Sequence, residues 1–274
     1  MKLAHREEGP EDGPVALLLH GYPESSFMWR HAMSALADRG WRAVAPDLLG
    51  FGDSGSDPPH TWERHVESIE AFRSDLGLER VALVMHDWGG LIGLWWACEH
   101  PDAVSALVIS ASGFFPDGKW HGVAEAARTP GTGEEMVEGM TRDGFEALLH
   151  QNGSGFDDES LEEYWKCFAD LDGRSPGLRP GEALVRRHGH LDFWRSADFE
   201  KLERFDGRIA GLGVPTFLLW GETDPFAFVS SAHRFQREIP GAELVMVEGA
   251  GHFVIDDAPE RCADEIAAFL ADRA

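Results

Sequence analysis

The chain has 274 residues, 43% of them hydrophobic, with ten Trp and seventeen Phe, which is enough apolar mass for one large domain with an insertion and excludes a disordered chain. Acidic residues outnumber basic ones 48 to 24, a formal net charge of −24, so the surface repels nucleic acid and anionic membranes and neither is an expected partner. Cys98, Cys167 and Cys262 are too scattered for a disulfide framework or a zinc site; with no apolar signal segment and no run near the ~20 residues that span a bilayer, a cytoplasmic protein is expected.

Strand-like and helical runs alternate. Residues 7–14 read as a polar turn. Val15–Leu19 is a buried strand, residues 26–38 have helical spacing and stop at Gly40, and Arg42–Pro46 is a second strand. The glycine-rich loop Asp47-Leu-Leu-Gly-Phe-Gly-Asp-Ser-Gly55 follows, and Thr61 is placed to cap a helix running to Gly77. Val81–His86 then runs through Asp87-Trp-Gly-Gly90 into an apolar helix, with another strand over residues 104–111.

From about residue 113 to 206 the strand runs disappear. Helical fragments over residues 144–150 and 161–171 sit among loops, the stretch over 171–187, rich in Gly, Pro and Arg, reads as a loop, and Arg186-Arg187-His188 reads as part of a basic loop. The alternation resumes with a strand over residues 214–220. Helix Val229–Glu238, strand Glu243–Val247 and a helix over residues 258–272 follow. This pattern predicts an α/β fold with a mostly parallel sheet covered on both faces. The division is core 1–112, helical cap 113–206, core 207–274. The cap is expected above the carboxyl ends of the strands, where ligands bind in such sheets.

Three residues at predicted strand ends can carry chemistry. Asp87 sits at a sharp turn between strand and helix, a position that lifts one side chain above the sheet. Asp224 lies in Trp220-Gly-Glu-Thr-Asp-Pro225, and His252 in Glu248-Gly-Ala-Gly-His-Phe253. Nucleophile, acid, histidine in that order, with His20-Gly-Tyr-Pro23 closing the first long strand, resembles the α/β-hydrolase superfamily. The carboxylate at the turn places the resemblance in the aspartate-nucleophile branch, with haloalkane dehalogenases, fluoroacetate dehalogenases and soluble epoxide hydrolases. It implies a sheet of about eight strands with a helical cap, of which the first edge strand is expected to be short or missing here.

The carboxylate matters physically. It is ionised at neutral pH and can displace a leaving group from an alkyl carbon without first losing a proton. The resemblance implies an ester on Asp87, hydrolysed by water that His252 deprotonates while Asp224 orients the imidazole. The N–H groups of Tyr22 and Trp88 are the expected oxyanion donors. No cofactor or metal is implied, and His188-Gly-His190 lacks companion ligands.

The leaving group separates two readings. A halide needs N–H donors; an epoxide oxygen needs an acid, in that family a pair of cap tyrosines. There are only two tyrosines here, Tyr22 in the core loop and Tyr164 in the cap. Trp194 stands where the stretch Leu191-Asp-Phe-Trp-Arg-Ser196 resembles a catalytic-tyrosine segment. Asp87-Trp-Gly-Gly-Leu-Ile-Gly-Leu94 looks like a dehalogenase elbow, whose Trp88 donates its indole N–H to halide. Trp120, Trp165 and Trp194 are candidate second donors, and Tyr164 a further substrate-binding residue. His20-Gly-Tyr-Pro-Glu-Ser-Ser26 leans instead toward epoxide hydrolases. Trp88 lacks the charge that binds a carboxylated substrate in fluoroacetate dehalogenases, although Arg186, Arg187 or Arg195 are available to compensate. The expectation is a haloalkane dehalogenase-like hydrolase, with an epoxide hydrolase as the alternative and a ligand-binding homologue of low turnover as the second. Its partners are a small apolar organic substrate and water, and it is a monomer or homodimer.

Overall fold

The computed structural model describes residues 2–168, 182–271 and 273. The chain opens with β1 (His5–Glu8) and β2 (Val15–Leu19). A 3₁₀ turn over Ser26–Trp29 leads into α1 (Arg30–Ala37). Then come β3 (Arg42–Pro46), α2 (Trp62–Asp75), β4 (Val81–His86), α3 (Trp88–Glu99) and β5 (Val104–Ser110). Among the described residues the next part is helical: α4 (Gly122–Arg128), α5 (Thr132–Glu138), α6 (Arg142–Asn152), α7 (Asp158–Trp165) and α8 (Glu182–Ser196). A 3₁₀ stretch over Phe199–Phe205 and α9 (Arg208–Gly211) lead back to β6 (Thr216–Gly221), α10 (Val229–Glu238), β7 (Glu243–Val247), α11 (Val254–Asp257) and α12 (Pro259–Ala271).

Among the described residues, seven strands form one sheet in the order β1-β3-β2-β4-β5-β6-β7. All neighbours are parallel except β1 and β3. The winding reverses between β2 and β4, and a crevice forms at the carboxyl ends beside such a reversal. All six residues of β4 are buried, the apolar run expected of a strand covered on both faces. Eleven of the twelve residues of α3 are buried too, so this helix has no solvent face. Its first turn lies directly on the sheet: a Cβ at Gly89 would stand 2.2 Å from the Leu19 carbonyl oxygen. That close approach holds the start of α3 over the end of β2. Thr61 caps α2 as expected, its side chain accepting the Arg64 N–H.

The structure differs from the sequence reading in three places. Glu7 and Glu8, read as part of a turn, end β1, which pairs antiparallel with β3 from His5↔Pro46 to Glu8↔Ala43. Backbone hydrogen bonds define this four-residue edge strand, and its polar side chains carry no apolar alternation to betray it. Arg186-Arg187-His188, expected in a loop, lie in α8. Gly189 marks a contact there rather than a break, since a Cβ would meet the His60 ring at 1.9 Å. The helix expected over 161–171 is α7 followed by a 3₁₀ turn over Lys166–Phe168. The rest of that run, the part of the loop expected over 171–187 that precedes residue 182, and residue 272 of the last helix lie outside the described residues. No helix of the described residues is long and apolar enough to cross a membrane.

Candidate active site

The turn at Asp87 is strained, with φ 47° and ψ −116°, a conformation rare for a residue with a side chain. Hydrogen bonds hold it from both sides. The Asp87 N–H donates to the Ser110 carbonyl (3.2 Å), and the Asp87 carbonyl accepts from the N–H groups of Gly90 (2.9 Å) and Leu91 (3.2 Å) and from the Ser112 hydroxyl (2.8 Å). The Tyr22 N–H donates to Asp87 Oδ1 at 2.8 Å. His252 places Nε2 3.5 Å from Asp87 Oδ2, and its Nδ1 lies 3.0 Å from both oxygens of Asp224. Asp224 Oδ1 also accepts from the N–H groups of Phe226 and Ala227, at 2.8 and 2.9 Å. Residues following β2, β4, β6 and β7 therefore meet at one point.

The loop bearing Tyr22 is braced from below. His20 Nε2 accepts the Leu48 N–H at 2.9 Å, which leaves Nδ1–H to donate to the Gly21 carbonyl at 2.8 Å. Asp47 accepts the N–H groups of Ser26 and Asp53, at 2.8 and 2.9 Å. The glycine-rich loop thus steadies the loop after β2.

Two sets of buried carboxyls behave differently. Burial works against charge on Asp87, but the hydrogen bond and charge of His252, with the Tyr22 N–H, outweigh it and hold this carboxyl below its usual value. Burial also opposes an imidazolium at His252, yet Asp224 and Asp87 lift it well above the ordinary histidine range. Behind this cluster, Glu24 and Asp256 are buried with far less support. The Tyr164 hydroxyl donates to Asp256 (3.0 Å), and the Arg30 guanidinium stands 3.5 Å away. Burial raises the Asp256 carboxyl to about 7 against the pull of Arg30 and Tyr164, and burial with Asp256 alongside raises Glu24 well above the carboxylate range.

A cavity of about 390 Å³ opens over Asp87, walled by Trp88, Leu91, Phe115, Trp120, His121, Trp194, Phe199 and Phe226. An inner chamber of about 50 Å³ lies between Asp87 and His252, bounded also by Tyr22, Pro23, His121, Trp194, Phe226 and Phe253. The Trp88 ring is stacked between Tyr22 (4.8 Å) and Phe193 (3.8 Å), and Trp194 meets its edge at 4.8 Å. The indole N–H groups of Trp88 and Trp194 are buried and have no hydrogen-bond partner. Trp120 stacks on Phe199 at 4.4 Å, with the Arg128 guanidinium over its ring.

The structure brings Asp87, Asp224, His252, Tyr22, Trp88, Trp120 and Trp194 together, but not Tyr164 and Trp165. Tyr164 is fully buried with its hydroxyl committed to Asp256, and Trp165 packs against Phe145 and Phe168 beneath Arg142 and Arg187. Both sit on α7, whose position over the core the sequence does not reveal. The three arginines suggested for a substrate carboxylate are engaged elsewhere. Arg186 donates to the carbonyls of Gly50, Gly52 and Ser54, Arg187 to those of Val137, Glu138, Met140 and Phe168, and Arg195 to Glu134. His121 and Phe226 were missed. The signal for Phe226 was its place two residues after Asp224; for His121 it was adjacency to Trp120 at the start of a short helix.

The α/β-hydrolase-fold family profile matches residues 14–259. A haloalkane dehalogenase of Mycobacterium marinum is 31% identical over 283 residues, covering 97% of this chain and 88% of its own. The crystal structure of an ancestral haloalkane dehalogenase superposes with a TM-score of 0.80 at 28% identity, over 98% of this chain and 95% of its own. An epoxide hydrolase from Vigna radiata superposes with a TM-score of 0.77 at 25% identity, over 98% of both chains. The chain belongs to the α/β-hydrolase superfamily. It is an α/β-fold hydrolase of the haloalkane dehalogenase and epoxide hydrolase branch.

Proposed function

We propose that this hydrolase displaces halide from a small apolar haloalkane, with Asp87 as nucleophile and residues 113–206 as the cap over the substrate. The observation that carries this reading is the pair of buried, unpartnered indole N–H groups of Trp88 and Trp194 on the wall of the cavity above Asp87. A buried donor without an acceptor costs about 1–3 kcal/mol, a cost removed when an anion forms beside it.

The steps follow from charge. Oδ1 of Asp87 is held by the Tyr22 N–H, and Oδ2, which faces His252 Nε2 at 3.5 Å, attacks carbon as the carbon–halogen bond breaks and halide leaves with the electron pair. The ester so formed carries no charge. His252 then loses one of its two anionic neighbours, its affinity for a proton falls, and by releasing its proton to solvent it becomes a base when a base is needed. Water attacks the ester carbonyl, its proton goes to His252, and the negative oxygen is received by the N–H groups of Tyr22 and Trp88. Collapse breaks the bond from the carbonyl carbon to Oδ2; the alkoxide takes the proton from His252 and leaves as the alcohol, and the carboxylic acid returns its own proton to His252, restoring the Asp87 carboxylate.

Epoxide opening is the less favoured reading because the alkoxide would need an acid. Tyr164, the cap tyrosine, is committed to Asp256. Three free, buried cysteines fit a reducing, cytoplasmic setting. The test is halide release from short bromoalkanes set beside diol formation from styrene oxide. Halide release is the expected outcome; diol formation without it would reverse the assignment.

A further inference from the structure

One wall residue carries a titratable group that the reaction above leaves unused. His121 lines both the large cavity and the inner chamber, the two spaces that meet at Asp87. It is the N-cap of α4, where its Nδ1 accepts the Ala124 N–H at 3.4 Å. That bond fixes the proton of the neutral ring on Nε2, the edge turned away from the helix backbone. The ring is held between Phe226 (4.9 Å) and Trp194 (5.8 Å), and Phe226 meets the His252 ring at 5.1 Å. Among the described residues none hydrogen-bonds to His121 Nε2.

We infer that His121 is a third leaving-group residue, whose Nε2–H donates to the departing halide beside the indoles of Trp88 and Trp194 and whose protonated form holds that halide more tightly. This rests on the dehalogenase reading. The chemistry asks for such a group: a leaving atom that enters uncharged becomes an anion among aromatic rings, and a donor that can itself take up charge answers it most strongly.

The charged groups around the ring set its resting state. Asp87 at the elbow and Asp224 after β6 favour its cation, His252 opposes it, and Glu125 on its own helix favours it. Lys119 lies two residues earlier in the chain, Arg128 at the far end of α4 donates to the Ala197 carbonyl, and Arg195 on α8 is turned to Glu134. Burial dominates and lowers the affinity for a proton. The empty site therefore holds neutral His121 at and above neutral pH. Bound halide adds a negative charge and draws a proton from solvent onto the ring, so halide binding and proton uptake reinforce each other.

Quenching of tryptophan fluorescence by added bromide tests this in the wild-type chain and in His121→Asn, at about pH 8.5 and about pH 5.5. Asparagine keeps an acceptor for the Ala124 N–H but does not titrate. In the wild type the bromide dissociation constant is expected to fall about tenfold from the higher to the lower pH. In His121→Asn the shift is expected to shrink to about twofold or less, with melting temperature unchanged. The Glu24–Asp256 pair is present in both proteins, so its titration cancels. His121→Gln, likewise an acceptor without titration, replaces His121→Asn should that variant not fold. A pH shift that survives in the variant, or one absent from the wild type, overturns the role of His121 and leaves the dehalogenase reading standing. A wild type that bromide fails to quench at either pH overturns both.

Discussion

On the floor of the cavity every charged group meets a partner before substrate arrives: Asp224 takes two backbone N–H groups and the His252 imidazole, and Asp87 takes the Tyr22 N–H. On the wall above, the indole N–H groups of Trp88 and Trp194 are buried and meet none. The difference follows the order of the proposed reaction. Floor groups carry charge in the resting enzyme and must be stabilised there. Wall groups would meet charge only once a bond has begun to break, so the fold leaves them unsatisfied and is less stable in the empty state. The same contrast separates Asp224 from Asp256. Two backbone N–H groups and a histidine surround Asp224, whereas Asp256, with a phenol, a guanidinium and a second carboxyl, is lifted to about 7.

The largest expected effect breaks the floor. His252→Phe removes the proposed base but leaves the proposed nucleophile, so one equivalent of halide is expected to be released and turnover to stop, falling by about three orders of magnitude or more. Intact-mass spectrometry is expected to show the chain heavier by the alkyl group, with peptide mapping placing it on Asp87. Continued turnover would remove His252 from the mechanism.

A smaller effect tests the wall. Trp194→Phe keeps an aromatic ring but deletes the N–H, and kcat/KM for bromoalkanes is expected to fall about 10- to 100-fold. Trp120→Phe, at a ring packed between Phe199 and Arg128, is expected to cost less than about threefold. Equal losses at the two positions would erase the distinction between donor and packing residue.

The smallest effect concerns stability. Asp256 stays neutral in the fold up to about pH 7 but ionises in the unfolded chain from its ordinary value upward. Its stabilising contribution is thus complete below the usual aspartate range and lost as pH rises through about 7. Asp256→Asn removes this dependence. The melting temperature of the variant relative to the parent is expected to rise by a few degrees between about pH 5 and pH 8. A constant difference would show that Asp256 is charged in the native protein.

The floor was legible in the sequence because backbone geometry writes it there. The turn at Asp87 demands glycines after it, a fully buried parallel strand demands an unbroken apolar run, and the order Asp87, Asp224, His252 follows the strands. The wall was not legible, because side chains reach it from helices whose facing depends on how they dock. Trp165 and Trp194 are equally aromatic and lie in equally mixed surroundings, yet one stacks away from Asp87 and the other over it. The helices α4 and α5 are short, separated by Pro130 and Gly131, and offer too few turns for a periodic signal. His121, at the start of the first of them, was hidden for the same reason.

Trp88 begins a helix with no face toward solvent, and its ring is clamped between Tyr22 and Phe193. One amino acid is therefore asked to serve both halves of the proposed cycle, its main chain answering one anion and its side chain another. Selection for a bulkier or differently charged departing group has little freedom at such a doubly engaged position. New substrate ranges should arise instead by exchange at Trp120 and Trp194, where a single function is at stake and the floor of the cavity stays untouched.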